Sequence, residues 1–195
     1  MHWYERISFR TYVLIGILLL SLFALILFLM GQVPICKCGY VKFWHGVVAS
    51  PENSQHISDW YTFSHVIHGF AFYWILWWAG RKWNLNLPLG LRLVFALLAE
   101  TSWEIFENTD FIINRYRTVT ISLDYYGDSV INSVFDALSM VLGFFAARWL
   151  PVWSIVALTI VMELFVGYAI RDNLTLNIIM LIYPIEAILE WQAGG

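Results

Sequence analysis

Two histidines have the spacing that a metal site requires. His65 and His68 stand three residues apart, so in a helix both imidazoles lie on one face, where they can hold one metal ion. A structural interpretation stays open, in which one histidine is buried against a neighbouring helix and the other meets lipid headgroups. Together with Glu100, these histidines are the predicted metal ligands. Zinc, manganese and iron are the divalent ions that suit such a mixture of imidazole and oxygen.

Three glutamates follow one another on a single face of a second predicted helix. Glu100, Glu104 and Glu107 are spaced by four and then three residues. Glu100 falls on the order of 10 Å inside the predicted helix. If this helix spans a membrane, the insertion free energy of an ionised carboxylate at such a depth is unfavourable by roughly 2.5–3.5 kcal/mol. The carboxylate must be neutral, paired or bound to a cation, so it indicates a functional site or a structural pair with Arg115 or Arg117.

A third predicted helix places Asp128, Asn132 and Asp136 at intervals of four, again on one face. Asp128 either caps this helix or belongs to the site, whereas Asp136 lies two turns deeper and is harder to explain as a cap. We predict that Glu104, Glu107, Asp128 and Asp136 act as catalytic acid–base groups or ligands.

The segment between the second and third of these helices contains cations and phenols. Arg115 and Arg117 can clamp a phosphate or a carboxylate. With Tyr125 they are the predicted substrate-binding residues. If the helices span a membrane, a lipid or lipid-linked substrate reaches this site sideways from the bilayer.

A pair of cysteines forms a possible second site. Cys36 and Cys38 are separated by one residue, and a bridge across one residue is strained, so we do not expect a simple disulfide. The pair can instead bind a soft metal with His45 or link the chain to a partner protein.

The composition predicts that helices in a membrane position these side chains. Of the 195 residues, 60% are apolar and only 13% are charged, against about 25% charged in soluble domains. The Trp, Tyr and Phe content suits membrane interfaces. The net charge of -3 and the lack of a basic stretch argue against nucleic-acid binding.

Apolar runs of about 20 residues are long enough to cross a bilayer. We predict an all-α polytopic bundle with one integral membrane domain over residues 1–195 and six spans. The spans are predicted at residues 11–31, 64–80, 88–106, 128–150, 151–170 and 173–191. Pro88 and Pro151 suit helix starts, and Asn173 suits a cap. The first run is longer than a secretory signal core, so we expect it to be retained.

The positive-inside rule orients this bundle. Six of the 11 Lys and Arg residues fall on the inner side if the N-terminus is inside, and they lie in the shorter loops. We therefore predict that both termini are inside, with the histidines and acids at the periplasmic face of a bacterial inner membrane.

Residues 64–78 resemble the helix of VanZ-like membrane proteins that reads roughly Lys-x-x-His-Phe-x-x-Tyr. His68, Phe70 and Tyr73 match this pattern, while Gly69 is inserted and His65 replaces the lysine. Such a resemblance implies a membrane location and carries no settled mechanism.

Two later segments continue the resemblance in the same order. Residues 104–107 are similar to the family's Glu-x-x-Gln, with Glu107 in place of Gln, and residues 128–132 are similar to its Asp-x-x-x-Asn. The glycine that follows one turn later in the family is missing here, and Gly143 comes further along.

A broader resemblance covers nearly the whole chain. Strings such as CKCGYVKFWHG and VGYAIRDNLTLN look like an uncharacterised bacterial inner-membrane family, a domain of unknown function. This resemblance implies a location but no activity.

Two functions follow from the sequence. The first is a metal-dependent hydrolase or transferase that acts on a membrane lipid or lipid-linked substrate. The alternative is a non-catalytic subunit or assembly factor of a larger membrane protein complex, in which the polar faces are interhelical hydrogen bonds worth about 0.6 kcal/mol each.

Overall fold

The computed structural model describes residues 3–120 and 123–194, and every regular element in this part of the chain is helical, as predicted. A 3₁₀ helix at Trp3–Arg6 precedes eight α-helices. The helices are α1 (Phe9–Leu29), α2 (Thr62–Lys82), α3 (Leu89–Glu107), α4 (Asp110–Val119), α5 (Val130–Trp149), α6 (Val152–Ile170), α7 (Leu174–Ile182) and α8 (Glu186–Gln192).

The helix starts follow local chemistry. Pro88 and Pro151 directly precede α3 and α6, as predicted. Asn173 caps α7 by accepting a hydrogen bond from the Leu176 N–H. The cap of α5 is Ser129 rather than Asp128, so the Asp128 carboxylate is available for other contacts.

In the described part of the chain, three helices are long and apolar enough to cross a membrane. They are α1, α5 and α6, with 21, 20 and 19 residues and mean hydropathies of 2.9, 1.7 and 1.9. Helices α2 and α3 have similar lengths but carry the predicted site histidines and glutamates, which lower their hydropathy. The chain is therefore a helical membrane protein. The six spans and their orientation stay predictions.

The segment predicted as a sixth continuous span is divided into α7 and α8. Tyr183 has extended backbone angles because Pro184 follows it, and the residue before a proline is disfavoured in a helix. Nine and seven residues are each too few to cross a bilayer as a straight helix.

Helix α4 lies inside a segment that was predicted to be a loop. It is amphipathic, and one of its faces is buried through Ile112, Ile113, Tyr116 and Val119. Its start at Asp110 follows α3 closely, so α4 lies at the end of the bundle where α3 terminates.

Helices α2 and α5 run parallel and touch through their backbones at two glycines. A Cβ atom on Gly69 would lie 2.1 Å from the Met140 carbonyl oxygen, and one on Gly143 would lie 2.1 Å from the Val66 carbonyl oxygen. Gly143 and Gly69 thus permit the close approach of the two helices. No side chain larger than hydrogen fits at either position.

The apolar core lies on one side of this crossing. Five buried residues from α3 and α5 form its main cluster: Leu93, Ala96, Leu97, Met140 and Phe144. On the other side lie the starts of α2 and α5 and the end of α3. The polar residues therefore gather at one end of the bundle.

We predict that Gly69→Ala and Gly143→Ala each destabilise the chain by at least about 1–3 kcal/mol, because the added methyl group forces two backbones apart. Thermal unfolding of the purified protein in detergent measures this loss. The matched control is Gly16→Ala in α1, where the new methyl group meets only the end of the Leu97 side chain at 3.1 Å. Equal melting temperatures for all three variants would contradict the close crossing.

Candidate functional site

The structure brings the three predicted metal ligands together. His65 Nδ1 lies 2.6 Å from Glu100 Oε1, and His68 Nδ1 lies 3.1 Å from Glu100 Oε2. Glu100 is fully buried, and His65 is 7% exposed. Because α2 and α3 run antiparallel, the first two turns of α2 face the last two turns of α3. The Glu100 carboxylate therefore contacts both imidazoles.

Glu104 lies one turn further along α3 and has an unusual environment. It is 1% exposed, yet neither carboxylate oxygen has a hydrogen-bond partner among the residues that the structure describes. His65 Nδ1 lies 3.4 Å from Glu104 Oε1, which is an ion-pair distance but not a hydrogen bond. A buried carboxylate without partners is costly, so this position calls for a ligand or a proton.

Asp136 completes the contacts of His65 from α5. Its Oδ2 lies 3.8 Å from His65 Nε2, and its Oδ1 lies 3.3 Å from the Thr62 hydroxyl group, which donates to it. The Gly69–Gly143 crossing holds α2 and α5 close enough for this contact.

The two remaining acids, Glu107 and Asp128, lie at the opposite end of the cluster from the histidines. The Tyr116 hydroxyl group donates to Glu107 Oε1 at 2.6 Å. Asp128 accepts hydrogen bonds at 3.0 Å from both the Tyr125 hydroxyl group and the Asn108 amide. The Asp128 N–H in turn donates to Asn108 Oδ1 at 2.7 Å. Asn108 therefore joins the end of α3 to the residues before α5.

Loop segments cover this end of the bundle and hold it together. The Gln55 amide donates to the Gly127 carbonyl at 2.8 Å, and the Asn132 amide donates to the His56 carbonyl at 2.9 Å. The Gln32 amide donates to the Asn108 carbonyl at 3.2 Å. These hydrogen bonds tie the loop before α2 to the end of α3, to the loop before α5 and to α5 itself.

The cluster borders a cavity of about 300 Å³, which is large enough for a small ligand or a headgroup. His65, His68, Glu100, Glu107, Asp128 and Asp136 line its polar part. Phe72, Trp103, Leu174 and Ile178 line its apolar part.

Tyr125 lies on this cavity, but the two arginines do not. Arg115 donates through Nε to the Leu181 carbonyl at the end of α7, and Arg117 donates to the Tyr125 carbonyl and is exposed. Neither side chain is among those lining the cavity or paired with its acids in the described residues. The predicted anion clamp gains no support from these positions.

Several residues of the site were not predicted. Asn108 donates to Asp128, and Tyr116 donates to Glu107 and contacts Asn177. Asp59 is buried next to the start of α2. Burial raises the pKa of Asp59. The spacing of nine residues between Glu107 and Tyr116 does not predict a contact unless α4 is known to fold back on the end of α3. No short sequence pattern marks these residues.

The second predicted site is built differently from expected. Cys36 and Cys38 form a disulfide, so the expectation of no bridge is wrong. Their Cα atoms are 5.1 Å apart, well inside the usual range of about 4.4–6.8 Å. His45 is engaged by Lys42 Nζ at 3.3 Å and by the Val47 carbonyl at 3.1 Å.

Glu52 and His56, rather than His45, lie beside the cysteines. Lys42 Nζ lies 2.6 Å from Glu52 Oε2, His56 Nε2 lies 3.1 Å from the same oxygen, and the Tyr40 hydroxyl group donates to Glu52 Oε1. Hydrogen bonds from Lys42, His56 and Tyr40 lower the pKa of Glu52 to about 2. The paired carboxylate and the oxidised sulfurs make this a structural cluster of the loop.

Three groups in the cavity cluster have donor atoms close enough to surround a cation. The groups are His65, His68 and Glu100, then His65, Glu104 and Asp136, and finally Glu104, Glu107 and Asp128. Within each group the donor atoms lie within 4.8 Å of one another. The predicted metal ligands and the predicted catalytic acids are therefore parts of one continuous cluster.

Comparison with known proteins identifies the family. The family model described as "Protein of unknown function (DUF2585)" matches residues 27–194. The chain belongs to this family. The matched region contains every predicted site residue, from Cys36 to Asp136. Comparison with solved structures finds no match.

Curated members of the family are similar over nearly their whole length. The UPF0314 protein of Rhizobium meliloti is 54% identical over 175 residues, covering 90% of this chain and 87% of that protein. The UPF0314 protein of Sphingopyxis alaskensis is 53% identical over 186 residues, covering 95% and 97%. These names carry no activity, and the matches give no support to the VanZ-like resemblance.

Asp172 provides a test of the packing next to the site. Its Oδ2 accepts from the Tyr61 hydroxyl group at 3.1 Å and its Oδ1 from the Gln192 amide at 3.0 Å, and it is 1% exposed. Burial raises the pKa of Asp172 to about 6. The stability that its proton provides is therefore complete below about pH 4 and is lost as the pH rises through about 6.

We predict that Asp172→Asn, which mimics the protonated acid, gains stability relative to the wild type as the pH rises from 4 to 7, by about 3 kcal/mol at most. Unfolding curves in detergent across this range measure the difference. The exposed Asp124→Asn variant is the control. A constant difference between Asp172→Asn and the wild type at every pH would contradict a raised pKa.

Proposed function

We propose that this chain is a membrane-embedded hydrolase or transferase that depends on a divalent metal ion and acts on a lipid or lipid-linked substrate. The observation that carries this proposal is the Glu104 carboxylate, which is buried, has no hydrogen-bond partner and stands among histidines and acids. A bound cation satisfies such a group, and no Lys or Arg in the described residues pairs with it.

The proposed roles follow from the contacts. His65, His68 and Glu100 hold the ion, since their donor atoms already converge. When bound, a divalent ion supplies an activated water at neutral pH. Glu104 would accept a proton from that water through an oxygen that no hydrogen bond engages in the described residues. Asp136 orients His65 from the other side.

The shape of the cavity supports an amphiphilic substrate. Its histidines and acids lie at one end, while Phe72, Trp103 and Ile178 form apolar walls. Ile178 is 47% exposed, so the apolar wall reaches the surface of the helical bundle. A polar headgroup fits beside the acids while the apolar chain lies along this wall toward the bilayer.

The disulfide supports the periplasmic location of this end of the bundle. Cys36 and Cys38 lie in the loop that covers the site. Disulfides persist in the periplasm and are rare in the cytoplasm. This agrees with the orientation that the positive-inside rule predicts for a bacterial inner membrane protein.

A second candidate function is the non-catalytic subunit. In the loop before α2, the apolar side chains of Phe43 and Val47 are 79% and 58% exposed. Such a surface suits a protein partner. Stoichiometric copurification of another membrane protein in mild detergent, lost on Phe43→Ser, would favour this function.

We predict that protein purified without chelator holds at least one transition metal ion per chain and that the His65→Ala/His68→Ala variant loses it. Elemental analysis by mass spectrometry measures the content. Removing the metal should also lower the melting temperature, because a ligand present at 100 times its Kd stabilises a fold by about 2.7 kcal/mol.

The matched control is His45→Ala, which removes a histidine that lies in the loop outside the cavity. It should keep the metal content of the wild type. Equal metal in all three proteins, or none in the wild type, would contradict the metal-dependent mechanism and make the subunit the better proposal.

A further inference from the structure

We propose that the cavity cluster is a two-ion centre whose ends select different cations: a transition metal at an imidazole end and a hard cation at an all-oxygen end. This inference rests on the proposed metal dependence and adds a second ion of different chemistry. The imidazole end is His65, His68 and Glu100. The oxygen end is Glu104, Glu107 and Asp128.

The two ends share no ligand. Each is a complete set of three donors whose atoms lie within 4.8 Å of one another. His65 and Glu104 then connect the ends, because they form a third close group with Asp136. Two ions can therefore be held side by side without competing for the same side chain.

Charge favours two ions over one. The cluster contains five buried or half-buried carboxylates: Glu100, Glu104, Glu107, Asp128 and Asp136. In the described residues their ion pairs are with histidine alone. With neutral imidazoles and ionised acids, one divalent ion would leave a formal charge of about -3 in a poorly solvated site, whereas two would leave about -1.

Glu104 stands between the two ends. It belongs both to the oxygen end and to the connecting group with His65. Both of its oxygens are buried without a hydrogen-bond partner among the described residues, so one oxygen can bind the ion of the oxygen end while the other faces the imidazole end and stays free to accept a proton. Carboxylates commonly occupy this position between paired metal ions, which cooperate in displacement reactions.

The donor types differ between the ends. Two imidazoles and a carboxylate suit zinc, iron or manganese. Three carboxylates with phenol and amide support suit magnesium, calcium or manganese, which prefer oxygen. Tyr116 and Asn108 hold Glu107 and Asp128 from outside the set, as second-layer hydrogen bonds do in metal sites.

The test loads the full-length protein in detergent with zinc and then titrates manganese, which electron paramagnetic resonance detects. We expect the zinc-loaded wild type to bind one additional manganese ion per chain. Glu107→Gln should keep the zinc and weaken manganese binding at least about tenfold. His68→Ala should lose the zinc and keep a manganese ion.

Glu107→Gln keeps an oxygen for the Tyr116 hydroxyl group, so the fold has little reason to change. If this variant nevertheless aggregates, Asp128→Asn tests the same end, and the exposed Asp124→Asn variant is the control. Zinc-loaded wild type that binds no manganese, or variants that each lose both ions, would overturn the two-ion centre and leave a single metal site standing. Failure to bind either ion would overturn the proposed function as well.

Discussion

The backbone contact between Gly69 and Gly143 is the constraint on which the rest of the structure depends. It brings α2 and α5 together with no side chain between them, and so holds the start of α2 beside Asp136. Helix α3 then packs across both, with Leu93 and Ala96 in the core and its glutamates facing the histidines. A wider crossing would separate the acids from the imidazoles while leaving each helix intact.

The same geometry explains why the polar residues gather at one end of the bundle. Buried carboxylates need partners, and a bilayer interior offers none. At the ends of α2, α3 and α5, the loops supply amides and hydroxyl groups such as those of Gln55, Asn108 and Tyr125. The site thus combines helices that fix the position of each side chain with loops that satisfy the remaining polar groups.

Helical spacing was sufficient to predict which side chains lie together at the centre of the cluster but not what surrounds them. The three-residue and four-residue intervals placed His65, His68, Glu100 and Glu104 on facing sides of their helices, and the structure joins them. The partner of Glu107 comes from α4, and the partners of Asp128 come from the end of α3 and the loop before α5, so their positions depend on how the segment between α3 and α5 folds. The direction of Arg115 depends on a long-range contact with Leu181. The disulfide and the contact of Arg117 with Tyr125 are local, but helical spacing does not predict them because both lie in or beside loops.

Helix α6 differs from the helices that build the site. In the described structure Val166 is its one buried residue, and the Glu163 carboxylate accepts from the Leu174 and Thr175 N–H groups at the start of α7. Most of α6 therefore has to be apolar but does not have to fit a particular neighbouring surface. Exchanges among Leu, Ile, Val and Phe should be neutral along most of this helix, whereas at Met140 or Phe144 of α5 they change a filled core. Apolar substitutions should thus be tolerated along most of α6 and should destabilise the protein in the core that α3 and α5 form.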